Sequence, residues 1–197
     1  MNSENTGSPN LSADGIASAV RRAAPRGLPP VEKWNPPFCG DLDMRIARDG
    51  TWYYLGTPIG RKPLVKLFSS IIKKEGDDYF LVTPVEKIGI TVEDAPFVAV
   101  DFTVQGDGQD ANITFTTQVG DQATAGADHM IRIVRDPETG EPSPYVNIRR
   151  NLDALIDRKS FYRLVDIGVA HPVEGEDWFG IWSGGVFFPF IPVAELS

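Results

Sequence analysis

Two basic pairs, Arg61-Lys62 and Arg149-Arg150, are the side chains of this sequence best suited to hold an anion. Each precedes a segment whose pattern predicts a helix, and the free N–H groups and dipole of a helix start favour negative charge. A guanidinium placed there can grip phosphate or carboxylate through two parallel hydrogen bonds. Lys66 lies one turn into the first predicted helix and adds another cation. The plainer reading of the same residues is a set of solvated loop charges paired with nearby carboxylates. Tyr54 and Tyr145 stand on strands just ahead of the basic pairs and could stack on a planar ligand. The segment Trp178–Phe188 offers Trp182 for the same purpose, and Ser183-Gly184-Gly185 would let a ligand approach the backbone. Its competing reading is a core strand with a bulge at the glycines.

Other chemistry finds little footing. Ser183 lacks the Gly-x-Ser-x-Gly frame of a nucleophile elbow. One cysteine, Cys39, and two histidines, His129 and His171, make a structural zinc site unexpected. The acidic loop Glu174, Glu176, Asp177 matches no calcium-loop spacing. No spacing singles out a carboxylate pair for acid–base work, so the expectation is a non-enzyme without metal or cofactor. The net charge is -8, with a pI near 4.8. Binding to duplex nucleic acid draws on a basic field that neutralises phosphates, so duplex DNA or RNA is not expected as partner. No apolar run approaches the ~20 residues of a membrane span, and the polar start Met1–Pro9 lacks a signal-peptide core. A cytoplasmic location is expected.

The elements that must position these residues follow from periodicity. Residues 1–33 read as a flexible leader with one short helix, capped by Ser12 or Asp14 and bearing an Ile16, Ala17, Val20 stripe. Trp34 and Phe38 anchor the proline-rich path that follows. Leu42, Met44 and Ile46 alternate with polar residues, and Asp49-Gly50 signals a type I′ hairpin turn into Thr51–Leu55. Pro63 opens a helix whose apolar face is Leu64, Leu67, Phe68, Ile71 and Ile72, with Gly76 at its end. Strands are predicted near 79–83, 86–92, 97–104, 111–118, 129–135 and 144–149. A helix is predicted from Asn151 with Leu152, Leu155 and Ile156 inward, and Phe161, Leu164 and Val165 extend it or start another. Trp178–Trp182 and Val186–Phe190 close the fold as strand.

One motif is used twice. Arg45-Ile46-Ala47-Arg48-Asp49 and Arg132-Ile133-Val134-Arg135-Asp136 differ at a single position, 87 residues apart. Each leads to a turn, a Tyr-bearing strand, a basic pair, and a helix opening at Leu64 or Leu152. The pattern predicts a duplicated α+β protein of strand-rich units, each with one main helix. The domains are read as 34–95 and 96–197. Two such units complete each other's core, and their seam is the expected ligand cleft.

Several blocks resemble a known bacterial family. Arg45–Tyr54, Pro58-Ile59-Gly60-Arg61, Leu64–Ser69, Leu81–Lys87, Val92–Phe97 and Trp182–Phe188 are similar, in order, to the domain of unknown function 1285 family. The resemblance covers roughly residues 34–190. It implies two structurally repeated halves, the C-terminal one resembling a pleckstrin-homology-like barrel, with a ligand site between them. It also implies a nucleotide-like ligand and a role in signal transduction, and it brings no catalytic residues. The combined expectation is a module that binds a small anionic ligand through Arg61, Lys66, Arg149, Arg150, Tyr54, Tyr145, Trp182 and Ser183. The alternative is a protein–protein adapter using a pleckstrin-homology-like surface.

Overall fold

The computed structural model describes residues 11–24 and 26–196. The Asn-, Ser-, Gly- and Pro-rich start up to Asn10 lies outside the described residues. The chain divides into two compact units. One comprises the residues up to Ala47 together with Thr51–Glu93, and the other Arg48–Gly50 with Asp94–Ser197.

The first unit opens with helix α1 (Ala13–Ala23), where the Ser12 hydroxyl accepts from the Gly15 N–H at 3.2 Å. Ile16, Ala17 and Val20 are buried, as the stripe predicts. Strand β1 (Phe38–Ile46) follows, with Leu42, Met44 and Ile46 turned inward. Phe38 is 54% exposed and meets the Phe80 ring edge to face at 6.1 Å. The hairpin to β2 (Trp52–Tyr54) forms as expected, but its loop is not type I′. Ala47 donates its N–H to Thr51, leaving three loop residues, of which Gly50 takes the left-handed conformation. That is the three-residue alternative, which asks for one such residue and not two. Strand β3 (Thr57–Pro58), helix α2 (Lys62–Ser69), and strands β4 (Ile72–Glu75), β5 (Asp78–Val82) and β6 (Lys87–Val92) complete the unit. The sheet order is β3-β2-β1-β6-β5-β4, with β1 and β6 parallel at its centre. Helix α2 is shorter than predicted. Ile71 and Ile72 are fully buried, but Ile72 already belongs to β4 and pairs with Leu81. Ser69 and Ser70 turn their hydroxyls back onto the carbonyls of Lys66 and Leu67, at 2.8 and 2.6 Å, and so compete with helix continuation.

The second unit contains β7 (Phe97–Gln105), β8 (Asn112–Thr117), β9 (Gln122–Thr124), β10 (Ile131–Arg135), β11 (Pro142–Arg149) and β12 (Leu152–Ile156). They form a six-stranded sheet, β10-β11-β12-β7-β8-β9, curved into a half-barrel, with β12 and β7 parallel. Its core includes Phe97, Phe115, Ile113, Val146 and Leu152. Helix α3 (Arg158–Asp166) follows, then an antiparallel sheet of β13 (Val169–Val173), β14 (Glu176–Ser183) and β15 (Val186–Pro192). The helix predicted from Asn151 is corrected here. Leu152, Ala154 and Ile156 are buried at a spacing of two, which is strand period, and α3 begins only after Asp157 caps Ser160 at 2.8 Å. Phe161, Leu164 and Val165 do belong to that separate helix. Gly184 and Gly185, both at positive φ, are a hairpin turn between β14 and β15 and not a bulge. The bulge lies at Phe179/Gly180.

The architecture is therefore α+β, as expected, with two six-stranded mixed sheets and a three-stranded one. The repeat survives in its hairpins. Arg45 pairs across strands with Tyr53 and lies 4.2 Å from its ring centroid, while Arg132 pairs with Tyr145 at 4.4 Å. Each arginine also meets a carboxylate, Glu93 or Asp153. The match does not extend to the helices, since Leu64 lies in the first turn of α2 but Leu152 opens a strand.

Candidate functional site

The predicted ligand residues fall into different surroundings. In the first unit Arg61 is the N-cap residue of α2, exposed and without a side-chain capping bond, and Lys66 is exposed on the same helix. Tyr54 is half-buried on β2. In the second unit Arg149 is enclosed. Its guanidinium bonds to Asp121 and lies 4.8 Å from the Phe97 ring centroid. Arg150 sits at the turn between two strands with φ +52°. The helix start expected after this pair is absent, because β12 follows instead.

Tyr145 is buried and donates its hydroxyl to Asp94 at 2.7 Å. Burial raises its pKa above the ordinary phenol value, and the Asp94 carboxylate adds to the effect. Ser183 is fully buried and bonded on both sides. It accepts from the Ile113 N–H at 2.8 Å and donates to the Ala125 carbonyl at 2.7 Å. That hydroxyl pins the β14–β15 hairpin to the β8 strand and is fully engaged in doing so. Trp182 is half-buried in an aromatic cluster with His171 and Phe187, at centroid distances of 4.8 and 5.4 Å.

A different set of residues forms a groove in the second unit. Its volume is about 420 Å³, within the range of small-molecule sites. Arg48 and Arg158 line it with Phe161, Tyr162 and the prolines Pro142 and Pro144. Helix α3 supplies the aromatic side, the start of β11 and the end of β12 supply further walls, and the turn after β1 supplies Arg48. Arg48 donates to the Ser143 hydroxyl at 3.1 Å and pairs with Asp94 at 2.9 Å, so its position is fixed from two directions. Arg158 pairs with Glu141 at 3.2 Å, with both side chains largely in solvent. Tyr162 is 59% exposed, and Phe161 leans on Phe190 at 5.6 Å.

Sequence reasoning passed over these residues. Arg48 stands out in the sequence only as part of the repeated motif, and Arg158 and Tyr162 lie inside a helix predicted to start seven residues too early. The available signal was Asp157, a helix-capping residue type placed three positions before Ser160. Among the described residues no group of three or more His, Cys, Asp and Glu side chains could hold a metal ion. No described helix is long and apolar enough to cross a membrane.

Fold and groove define a two-unit α+β protein whose second unit pairs a half-barrel with a small antiparallel sheet. The chain belongs to the DUF1285 family, matching the N-terminal domain of unknown function over residues 29–95 and the C-terminal domain over 96–190. It is similar to the crystal structure of a DUF1285 family protein from Silicibacter pomeroyi DSS-3. Identity is 59% and the TM-score 0.84, covering 94% of this chain and 99% of that one. A DUF1285 family protein from Shewanella baltica OS155 is 32% identical with a TM-score of 0.51, covering 64% of this chain and 91% of that one. No curated protein matches the chain.

Proposed function

We propose that the protein is a non-enzymatic cytoplasmic module that binds a small anionic, nucleotide-like ligand in the groove beside α3, in a sensing or signalling role. The observation that carries this reading is the pairing of Arg48 and Arg158 with the exposed ring of Tyr162 in one groove. An anionic group would exchange Glu141 for itself at Arg158. That exchange is cheap, since exposed ion pairs are worth ~0–1 kcal/mol. Arg48 is already oriented by Ser143 and Asp94, so little side-chain entropy is lost on binding. Tyr162 supplies an exposed flat face for a ring.

The test is a thermal-shift screen of mononucleotides and inorganic phosphate. A ligand at 100 times its Kd adds about 2.7 kcal/mol of stability. Arg158→Ala and Arg48→Ala should each abolish the shift. A screen flat to millimolar concentration rejects the reading.

The adapter reading has its own support. Val104, Ile167 and Val169 are each more than 40% exposed around an apolar cavity of about 290 Å³ that also meets Trp182. Contiguous exposed apolar residues mark interaction sites. Substituting Ile167 and Val169 by serine should reduce any protein association without altering the nucleotide response.

A further inference from the structure

We propose that the first unit carries a separate site for an organic cation, an ammonium or guanidinium head with apolar flanks, on the face of its sheet around Gly89. The site is a pocket of about 340 Å³ lined by Phe38, Asp41, Asp78, Tyr79, Phe80 and Lys87. Phe80 pairs with Gly89 on β5 and β6, and Asp41 pairs with Gly89 on β1, so the three form one row across the sheet. Successive strand residues point to opposite faces, and the neighbouring pair Leu81–Ile88 is fully buried on the other side.

Gly89 makes the pocket. A Cβ there would collide with the Asp41 carboxylate, and it would touch the Phe38 ring at 3.7 Å. The missing side chain lets a carboxylate and an aromatic ring share one spot. Phe38 and Phe80 meet edge to face at 6.1 Å. Of the two rings on this face, Phe80 already carries a lysine ammonium, with Lys87 at 4.9 Å from its centroid. Phe38, 54% exposed, has no such cation among the described residues. The charge points the same way. Lys87 is matched by Glu75 at 2.9 Å, while Asp41 and Asp78 have no ion-pair partner among the described residues. The pocket is thus aromatic and net negative, which is the chemistry that selects soft organic cations over hydrated metal ions.

The test is an NMR titration of the whole chain with tetramethylammonium and methylguanidinium, against sodium at equal ionic strength. A second arm uses a peptide bearing trimethyl-lysine, which separates a free small molecule from a partner's side chain as the source of the cation. Saturable shifts at Phe38, Phe80 and Gly89 are expected with either source and not with sodium. Asp41→Asn removes the charge, and Gly89→Ala displaces the carboxylate while keeping it. Each should weaken binding about tenfold, or about 1.4 kcal/mol. Both positions are compatible with folding, since Asp41 is exposed and Gly89 does not need a left-handed backbone. An equal response to sodium, no saturable shift in either arm, or an affinity that survives either substitution overturns the proposal.

Discussion

Ser183 and Tyr145 show how a polar residue is committed to structure. The Ser183 hydroxyl satisfies a buried N–H and a buried carbonyl at once. Ser183→Ala leaves both unsatisfied and should cost about 2 kcal/mol, read as a lower urea midpoint at unchanged m. Nucleotide binding should be untouched. The phenol of Tyr145 has its folded pKa raised, by burial first and by Asp94 second. The unfolded chain therefore loses this proton first. Stability from this group is whole below pH about 10 and falls as pH rises through the folded value. Tyr145→Phe should flatten that alkaline loss in a stability–pH profile, while costing about 1 kcal/mol at neutral pH for the bond to Asp94.

At the scale of elements, strand alternation and short-helix capping decide most of what was legible. Leu42, Met44 and Ile46 revealed β1 by their period of two, and the continuous apolar run from Phe97 to Val100 revealed β7. Leu152–Ile156 has the same period, yet Leu152, Leu155 and Ile156 also fit a helical face, and five residues cannot separate the two patterns. Ile71 and Ile72 misled in the same way, continuing a helical stripe that the serines at 69 and 70 end. The repeated Arg-Ile-x-Arg-Asp motif correctly marked two hairpins with matching Arg–Tyr pairs. Their places differ, since Arg45 lies on an inner strand and Arg132 on an edge strand. The groove was not legible because its residues come from three separate segments whose meeting depends on the fold. Gly180 gives an element-scale prediction. A Cβ there would run into the Phe188 carbonyl at the β14 bulge. Gly180→Ala should destabilise by more than about 2 kcal/mol, with loss of Trp fluorescence intensity reporting the displaced hairpin.

For the molecule as a whole, charge is the governing quantity. At -8 the chain repels polyanions, so duplex DNA should give no mobility shift at physiological salt. Self-association should peak near pH 4.8, where net charge vanishes, and light scattering across pH 4–8 checks this. Further acidification should lower stability, read as a falling thermal midpoint below about pH 4. Glu75, Asp101 and Asp136 all have lowered pKa values, caused first by bonds from Lys87, Arg163 and the Thr139 N–H respectively. Their contribution is present above the ordinary carboxylate range and is lost as pH falls through the lower folded values.

The three-residue turn Arg48–Gly50 is encoded in the segment of the N-terminal family domain but packs as part of the second unit. This bears on inheritance. A gene fragment spanning residues 96–190 would transmit the strands and helix of the groove without the guanidinium of Arg48. Exchange of the C-terminal segment between lineages would therefore reset the groove's electrostatics unless the earlier hairpin travelled with it. Selection on the groove would act on both coding segments together.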